Sequence, residues 1–471
     1  MSISKAAILC LFTSGLMLIA GSAVFAAPVC EQAKTIPVSN GRSGFEIDKT
    51  WAGAVAAFDS ISRGGKAYFG YYNADRWLSI AQLDLKTHEV CRLQLKSMFK
   101  GWDAHNIITL AFDQAGRIQI AGNMHASPLV YASATTPDSL SGITLRPMIG
   151  KDENQVTYPN FVNVTGGKLL FIYRVGEAGN GQWIVNISDG GKWRRLLNSP
   201  IFTSQWRGRP TSAYPSPIGT TQDGCVYQAI VWRRPPDVSA NYAITYARTC
   251  DFVHWIDHLD QPIHLPIDPG NADMIEYTGE EKGLVNWQRI SLAPGGTPVI
   301  AYTRYGDDGH NIVILASPDG TGWRRSIVAK ASRQTIITGE GTLPTARFFD
   351  SPVFDNKGRG SINVTFPGES AKRVYFDAKT LAIVDAPSPM PAKTPTPTRL
   401  SISIPTDLVD GQMMVHSVRV GDVSAGNRSV GAIYYFGQGF NRDQARPCTT
   451  QQPKACNPPP APLIFVPSSQ N

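Results

Sequence analysis

The sequence predicts an all-β protein, a seven-bladed β-propeller with a Pro-rich, partly irregular C-terminal extension. Three observations carry this expectation. Turns bearing glycine and followed by a short apolar strand recur seven times, beginning at Gly64, Ala115, Gly166, Asp223, Gly295, Lys357 and Asp410. Their spacing of roughly fifty to seventy residues marks a repeat architecture with room for about four strands per unit. Charged residues make up only 17% of the chain while glycine and proline number 43 and 34, which favours short strands and many turns over helices. Long patterns of helical period are absent beyond the N-terminus.

In chain order, the first segment reads as a secretory signal spanning 1–26. Lys5 supplies the positive start, Ala6 to Ala20 the apolar core, and Val24-Phe25-Ala26 the small-residue cleavage pattern. The apolar run is too short for a spanning helix, so no membrane association is expected. Export to the periplasm or the medium follows, with a propeller over 27–385. Without Cys10, six cysteines remain, an even number that in an exported chain favours disulfides. Cys225–Cys250 and Cys448–Cys456 are the preferred local pairs, leaving Cys30–Cys91. A zinc set of Cys225, Cys250 and His254 or His258 is the weaker alternative, because its spacing matches no tight ligand pattern. The net charge of +7 is mild and contains no basic runs, which argues against nucleic acid and is compatible with an anionic ligand.

The repeat has a second marker. Asp189-x-x-x-Trp193, Asp251-x-x-x-Trp255 and Asp319-x-x-x-Trp323 each follow a third strand. In such a turn the carboxylate caps backbone N–H groups and the Trp packs between neighbouring sheets. These turns resemble degenerate Asp-boxes of sialidase-like propellers, and their expected role is structural. The Pro-rich run at 386–400 reads as a linker or as an insertion before a final blade, with strands of that blade over 401–445 and an irregular tail over 446–471.

Within Gly101–Pro137, NIITLAFD and RIQIAG form a β-hairpin pattern around Gln114-Ala115-Gly116. His105 precedes the first strand and His125 follows the second, so both belong at one end of the hairpin. Equivalent positions in later units hold Tyr158 and Arg174, then Tyr214 and Trp232-Arg233, then Asn286-Trp287 and Arg304. In a propeller these ends converge on one channel mouth. Paired carboxylates are missing from these positions, which disfavours a glycosidase using acid and base carboxylates. A nucleophile elbow and an HExxH metal motif are missing too. Imidazole and phenol can pass protons and guanidinium can grip a carboxylate in a bidentate fork, a set suited to β-elimination from a uronic acid.

The stretches W-D-A-H-N (Trp102–Asn106), N-M-H (Asn123–His125), Y-P-N (Tyr158–Asn160) and Y-R-V-G-x-x-G-N-G (Tyr173–Gly181) resemble the BNR-repeat polysaccharide lyases. That family includes ulvan lyases and rhamnosyl-glucuronate lyases acting on arabinogalactan side chains. The resemblance runs from about Gly53 to Ala386, and the residues after Ala386 depart from the family's usual ending. It implies a seven-bladed propeller and elimination at a rhamnose-α-1,4-glucuronate bond. By the same resemblance, His105 and His125 match the family's histidine pair, and Tyr158 and Arg174 its tyrosine and arginine. Arg174, helped by His125, is expected to neutralise the uronate carboxylate, while His105 and Tyr158 share proton abstraction and donation. Which of the two is the base stays open. Asp103 is expected either to orient His105 or to serve only as a turn residue, and Tyr214, Asn106 and Arg304 to contact substrate. No catalytic metal or required cofactor is expected, though a structural Zn²⁺ or Ca²⁺ is allowed. The expected partner is an acidic polysaccharide containing uronate and rhamnose, bound by a monomer. The competing readings are a sialidase-like hydrolase and a non-catalytic propeller that binds acidic glycans.

Overall fold

The computed structural model describes residues 27–38, 41–53, 56–164, 167–218, 221, 224–387 and 413–468. The signal segment 1–26 and most of the Pro-rich run lie outside them. Among the described residues the structure is all-β, apart from the short 3₁₀ turns Val238–Ala240 and Val423–Ala425. No helix there is long and apolar enough to cross a membrane.

The strands form antiparallel units in sequence order, the arrangement of a propeller, with seven such units among the described residues. Blade 1 comprises Asp59–Arg63, Lys66–Tyr72, Trp77–Asp84 and Glu89–Met98. Blade 2 runs from Ile108–Phe112 to Thr144–Leu145, blade 3 from Val156–Val164 to Lys192–Arg195, and blade 4 from Ser212–Pro215 to Pro262–Ile263. Blade 5 spans Arg289–Leu292 to Trp323–Lys330, and blade 6 Val353–Phe354 to Ile383–Val384. The turns predicted at Gly64, Ala115, Gly295 and Lys357 enter largely buried second strands. So do the runs after the predicted turns at Gly166 and Asp223, two residues that lie outside the described ones. The run predicted after Asp410, also outside them, is instead the first strand of blade 7 and is mostly exposed or half-buried. Runs such as IQIAG and VYQAIVWR therefore lie between two neighbouring blades, and lack the polar alternation of a sheet with one wet face.

Blade 7 closes the ring with both ends of the chain. Met413–Asp422 and Arg428–Gln438 form its hairpin, Pro460–Pro467 its third strand, and the N-terminal Ser43–Trp51 its fourth. Pro460–Pro467 pairs with Arg428–Gln438 on one side and Ser43–Trp51 on the other. The tail expected to be irregular over 446–471 thus contains a buried strand, because PAPLIFVP carries the apolar run that the closing position requires. Likewise, the N-terminal strand Ser43–Trp51 belongs to the last blade, while Val29–Gln32 pairs with the outer strand of blade 1. A parallel bridge of Gly421 to Ile61 and Asp422 to Ser62 then joins blade 7 to blade 1.

The Asp-x-x-x-Trp turns staple blades together. Trp193 Nε1 donates to the Tyr131 hydroxyl of blade 2 at 2.8 Å, and Trp323 Nε1 to Asp273 at 2.8 Å. Trp255 packs edge-on against Phe202 at 5.7 Å. Asp251 accepts from the backbone N–H groups of Val253 and His254, both at 2.8 Å. Three disulfides join Cys30–Cys91, Cys225–Cys250 and Cys448–Cys456. The second removes the zinc alternative, since both thiols are consumed, and His258 is bound to Asp273 at 2.7 Å. Cys30–Cys91 ties the strand Val29–Gln32 to the outer edge of blade 1.

Phe465, fully buried in the closing strand, packs against Phe69 of blade 1 at 5.7 Å. Phe465→Ala should lower stability by about 3–5 kcal/mol, read by denaturant unfolding. A loss under about 1 kcal/mol would show that the closing strand contributes little.

Candidate active site

In the blade 2 hairpin Ile108 is registered with Gly122, so the turns carrying His105 and His125 lie side by side. The two imidazoles stack with centroids 4.3 Å apart. Asp103 holds them there: one carboxylate oxygen binds His105 Nδ1 at 2.7 Å and the other binds His125 Nδ1. The first oxygen also accepts from the His105 backbone N–H at 2.8 Å. Each Nε2 is the ring nitrogen left without a protein partner among the described residues. Burial alone would push the Asp103 carboxyl up, but its bonds to the two histidines and their charge hold it well below the usual carboxylate range.

A second carboxylate stands behind His105. Asp443 lies 3.4 Å from its Nδ1 and accepts from the backbone N–H groups of Ala104 at 3.1 Å and Thr342 at 2.9 Å. Burial pulls the His105 imidazolium down; the charge of Tyr158, the bonds to Asp103 and Asp443 and the Asp103 charge outweigh it. His105 ends well above the ordinary histidine value.

Tyr158 reaches the site through a bulge. The pairing of Val156–Val164 with Lys168–Glu177 shifts between Thr157 and Asn160, and Tyr158 takes a left-handed φ of 55°. Such a conformation costs about 1–3 kcal/mol and re-aims the side chain out of the sheet. The ring stacks parallel to Trp183 at 5.9 Å and stands edge-on to His105 at 5.8 Å. Beneath it, 5.0 Å from the ring centre, lies the Arg174 guanidinium. Arg174 has room because residue 181 is glycine: a Cβ there would come within 2.9 Å of the Arg174 side chain.

Arg174 is 1% exposed, donates to Thr157 Oγ1 at 3.2 Å and to the Tyr214 hydroxyl at 3.4 Å, and leaves Nε without a partner. No carboxylate pairs with it among the described residues. Tyr214 lies under a second guanidinium, Arg233, at 4.1 Å. Burial raises the Tyr214 phenol, yet Arg233, Arg174 and the Gly179 N–H bring it below its usual value.

His105, His125, Tyr158, Arg174, Tyr214 and Arg233 line one cleft of about 1030 Å³, together with Asn286, Trp287, the segment 339–347 before blade 6 and residues of blade 7. Two expected contacts fall elsewhere. Asn106 turns inward, donating to the Asp103 carbonyl at 3.0 Å while its own carbonyl accepts from Tyr72 at 2.7 Å, so it braces the histidine turn. Arg304 pairs with Glu276 at 3.0 Å, because its strand presents that position to the outer strand Asp273–Tyr277 of the preceding blade. Asp443, Arg347 and His416 had no sequence signal; they reach the cleft region only through ring closure. Asp103, His105 and His125 place one ligand atom each within 4.8 Å of one another, a set able to grip a metal ion. Both Nδ1 atoms, however, already lie at hydrogen-bonding separation from Asp103, an arrangement that serves protons as readily.

Residues 66–331 match the model of the BNR repeat-containing family. Among solved structures, an ulvan lyase of family PL25 bound to -[GlcA(1-4)Rha3S]- superposes with a TM-score of 0.50 at 14% identity, over 74% of this chain and 86% of its own. The polysaccharide lyase Uly1 gives 0.53 at 14% identity, over 89% and 92%. At this identity the likenesses establish the fold. A search of curated proteins finds no match.

Asp443→Asn should bring the His105 imidazole down toward the ordinary histidine range, followed by an NMR pH titration of its ring protons. An unmoved titration would show that Asp443 only braces the loop.

Proposed function

The chain belongs to the BNR repeat-containing family, and from that membership and the cleft geometry we propose that it is an exported polysaccharide lyase. It cleaves a rhamnosyl-α-1,4-glucuronate linkage, of the ulvan or arabinogalactan type, by β-elimination. The observation that carries the reading is Arg174: a buried guanidinium with no carboxylate partner, facing two imidazoles and a phenol. An uncompensated buried charge is costly, and a uronate carboxylate entering the cleft would supply the missing anion.

In this reading Arg174 and His125 neutralise the carboxylate, which makes the C5 proton acidic enough to remove. His105, kept as an imidazolium by Asp103 and Asp443, has no lone pair to accept a proton, so the proton acceptor is Tyr158. Tyr158, reacting as its phenolate above the Arg174 guanidinium, takes the C5 proton and becomes the neutral phenol. The C4–O4 bond breaks as the C4–C5 double bond forms, and the His105 imidazolium donates to the departing O4. H5 and O4 of glucuronate lie on the same face, which suits two groups standing edge to face at 5.8 Å. Glu340 is the one carboxylate lining the cleft among the described residues, whereas a retaining or inverting glycosidase calls for a pair. Export is supported by the three disulfides, which belong to oxidising compartments, and by the signal pattern over 1–26.

Incubation with ulvan and gum arabic should generate the ultraviolet absorbance of an unsaturated uronate. Reducing ends without absorbance would mean a hydrolase, and retention on the polymer without either a binding propeller. Tyr158→Phe and Arg174→Lys should each lower kcat/KM by about 10²–10⁴-fold with the fold retained. Near-normal turnover in either would remove that residue from the mechanism. His105 must be protonated to donate, so kcat/KM should fall as pH rises through its raised pKa. Asp443→Asn should bring that fall to lower pH.

A further inference from the structure

The cleft has a second positive pole that the elimination does not use. Arg347, from the segment before blade 6, places its guanidinium 3.9 Å from the Trp287 ring centre and 4.1 Å from that of Phe440. Arg289 sits 3.5 Å from the same Trp287 ring. Two guanidiniums therefore share one indole. Burial and the neighbouring Arg289 charge bring Arg347 down to about 10, while Asp350 acts on Arg289 in the opposite sense. Arg347 makes no hydrogen bond or ion pair among the described residues, so a planar fork held by its stacked rings keeps its N–H donors unspent.

His416 stands beside it in the lining. Its ring stacks on Tyr435 at 5.1 Å, and its Nε2 is buried without a partner. Burial and the Arg347 charge push it down to about 4, so it is neutral at pH 7 and offers hydrogen bonding without charge. Glu340 is the acidic group in the same lining and carries no guanidinium partner. Arg347, His416 and Phe440 all lie beyond residues 66–331, outside the part of the chain that matches the family model.

We propose that Arg347, seated between Trp287 and Phe440 with His416 alongside, forms a second oxyanion subsite that holds a sulfate ester or carboxylate on a sugar neighbouring the cleaved uronate. This rests on the acidic-polysaccharide reading above. The stacked rings fix the guanidinium plane, and Arg347 lines the same cleft as Arg174.

The test compares wild type, Arg347→Gln and His416→Ala on native, chemically desulfated and carboxyl-reduced ulvan, scoring both elimination and retardation in polymer-containing gels. Arg347→Gln should raise KM about tenfold or more on native ulvan with the effect on KM rather than kcat, the change expected on losing a charge-assisted hydrogen bond. His416→Ala should raise KM in the same direction by less. If the Arg347→Gln defect disappears on desulfated polymer the anion is a sulfate. If it persists there but the retardation defect disappears on carboxyl-reduced polymer, the anion is a carboxylate. A defect that persists on all three marks a structural role and overturns the subsite. A wild-type protein that is retarded without producing absorbance, with Arg347→Gln released, would end the lyase reading and keep the subsite. Wild-type KM and retardation in both variants on native and desulfated polymer would overturn the subsite.

Discussion

Closure of the ring is the constraint on which the rest depends. An open row of blades would leave unpaired strand edges at both ends and would give its hairpin ends no common mouth. Here Pro460–Pro467 solves both problems by pairing on two sides, with the last hairpin and with the N-terminal Ser43–Trp51. Closure also brings the loop before that strand across to blade 2, where Asp443 bonds the Ala104 N–H and approaches His105. Closing the fold and setting the protonation of His105 are thus one structural event.

The second organising feature is an imbalance of charge. Behind the histidines, two carboxylates hold the imidazoles and are themselves kept ionised by them. In front, Arg174, Arg233 and Arg347 face the cleft with no carboxylate bound to any of them among the described residues. Burying a guanidinium costs several kcal/mol unless an anion answers it. The protein carries that cost at its two buried guanidiniums through aromatic stacking, with Tyr158 and Tyr214 over Arg174 and Tyr214 over Arg233, while the exposed Arg347 is stacked by Trp287 and Phe440. Cation–π contact stabilises the charge while leaving N–H donors available. A salt bridge would have spent them.

The repeat was readable from the chain alone. Glycine turns and apolar second strands are local patterns, and so is the Asp-x-x-x-Trp staple; each forms from residues a few positions apart. His105, His125, Tyr158, Arg174 and Tyr214 were legible for the same reason, since hairpin-end positions follow from strand period and turn placement alone. Arg304 shows where that rule stops. It occupies the equivalent position, yet Glu276 of the neighbouring blade captures it, and partners between blades have no sequence register. Asn106 likewise sits in the right turn, but its side-chain amide is spent on the Asp103 carbonyl while Tyr72 holds its backbone carbonyl. Everything that depends on closure came from the fold: that PAPLIFVP is a buried strand, that Asp443 stands behind His105, and that Arg347 and His416 share the cleft with Arg174. Asp443 is separated from His105 by more than three hundred residues, and no local pattern encodes a contact that exists only once the last blade meets the first.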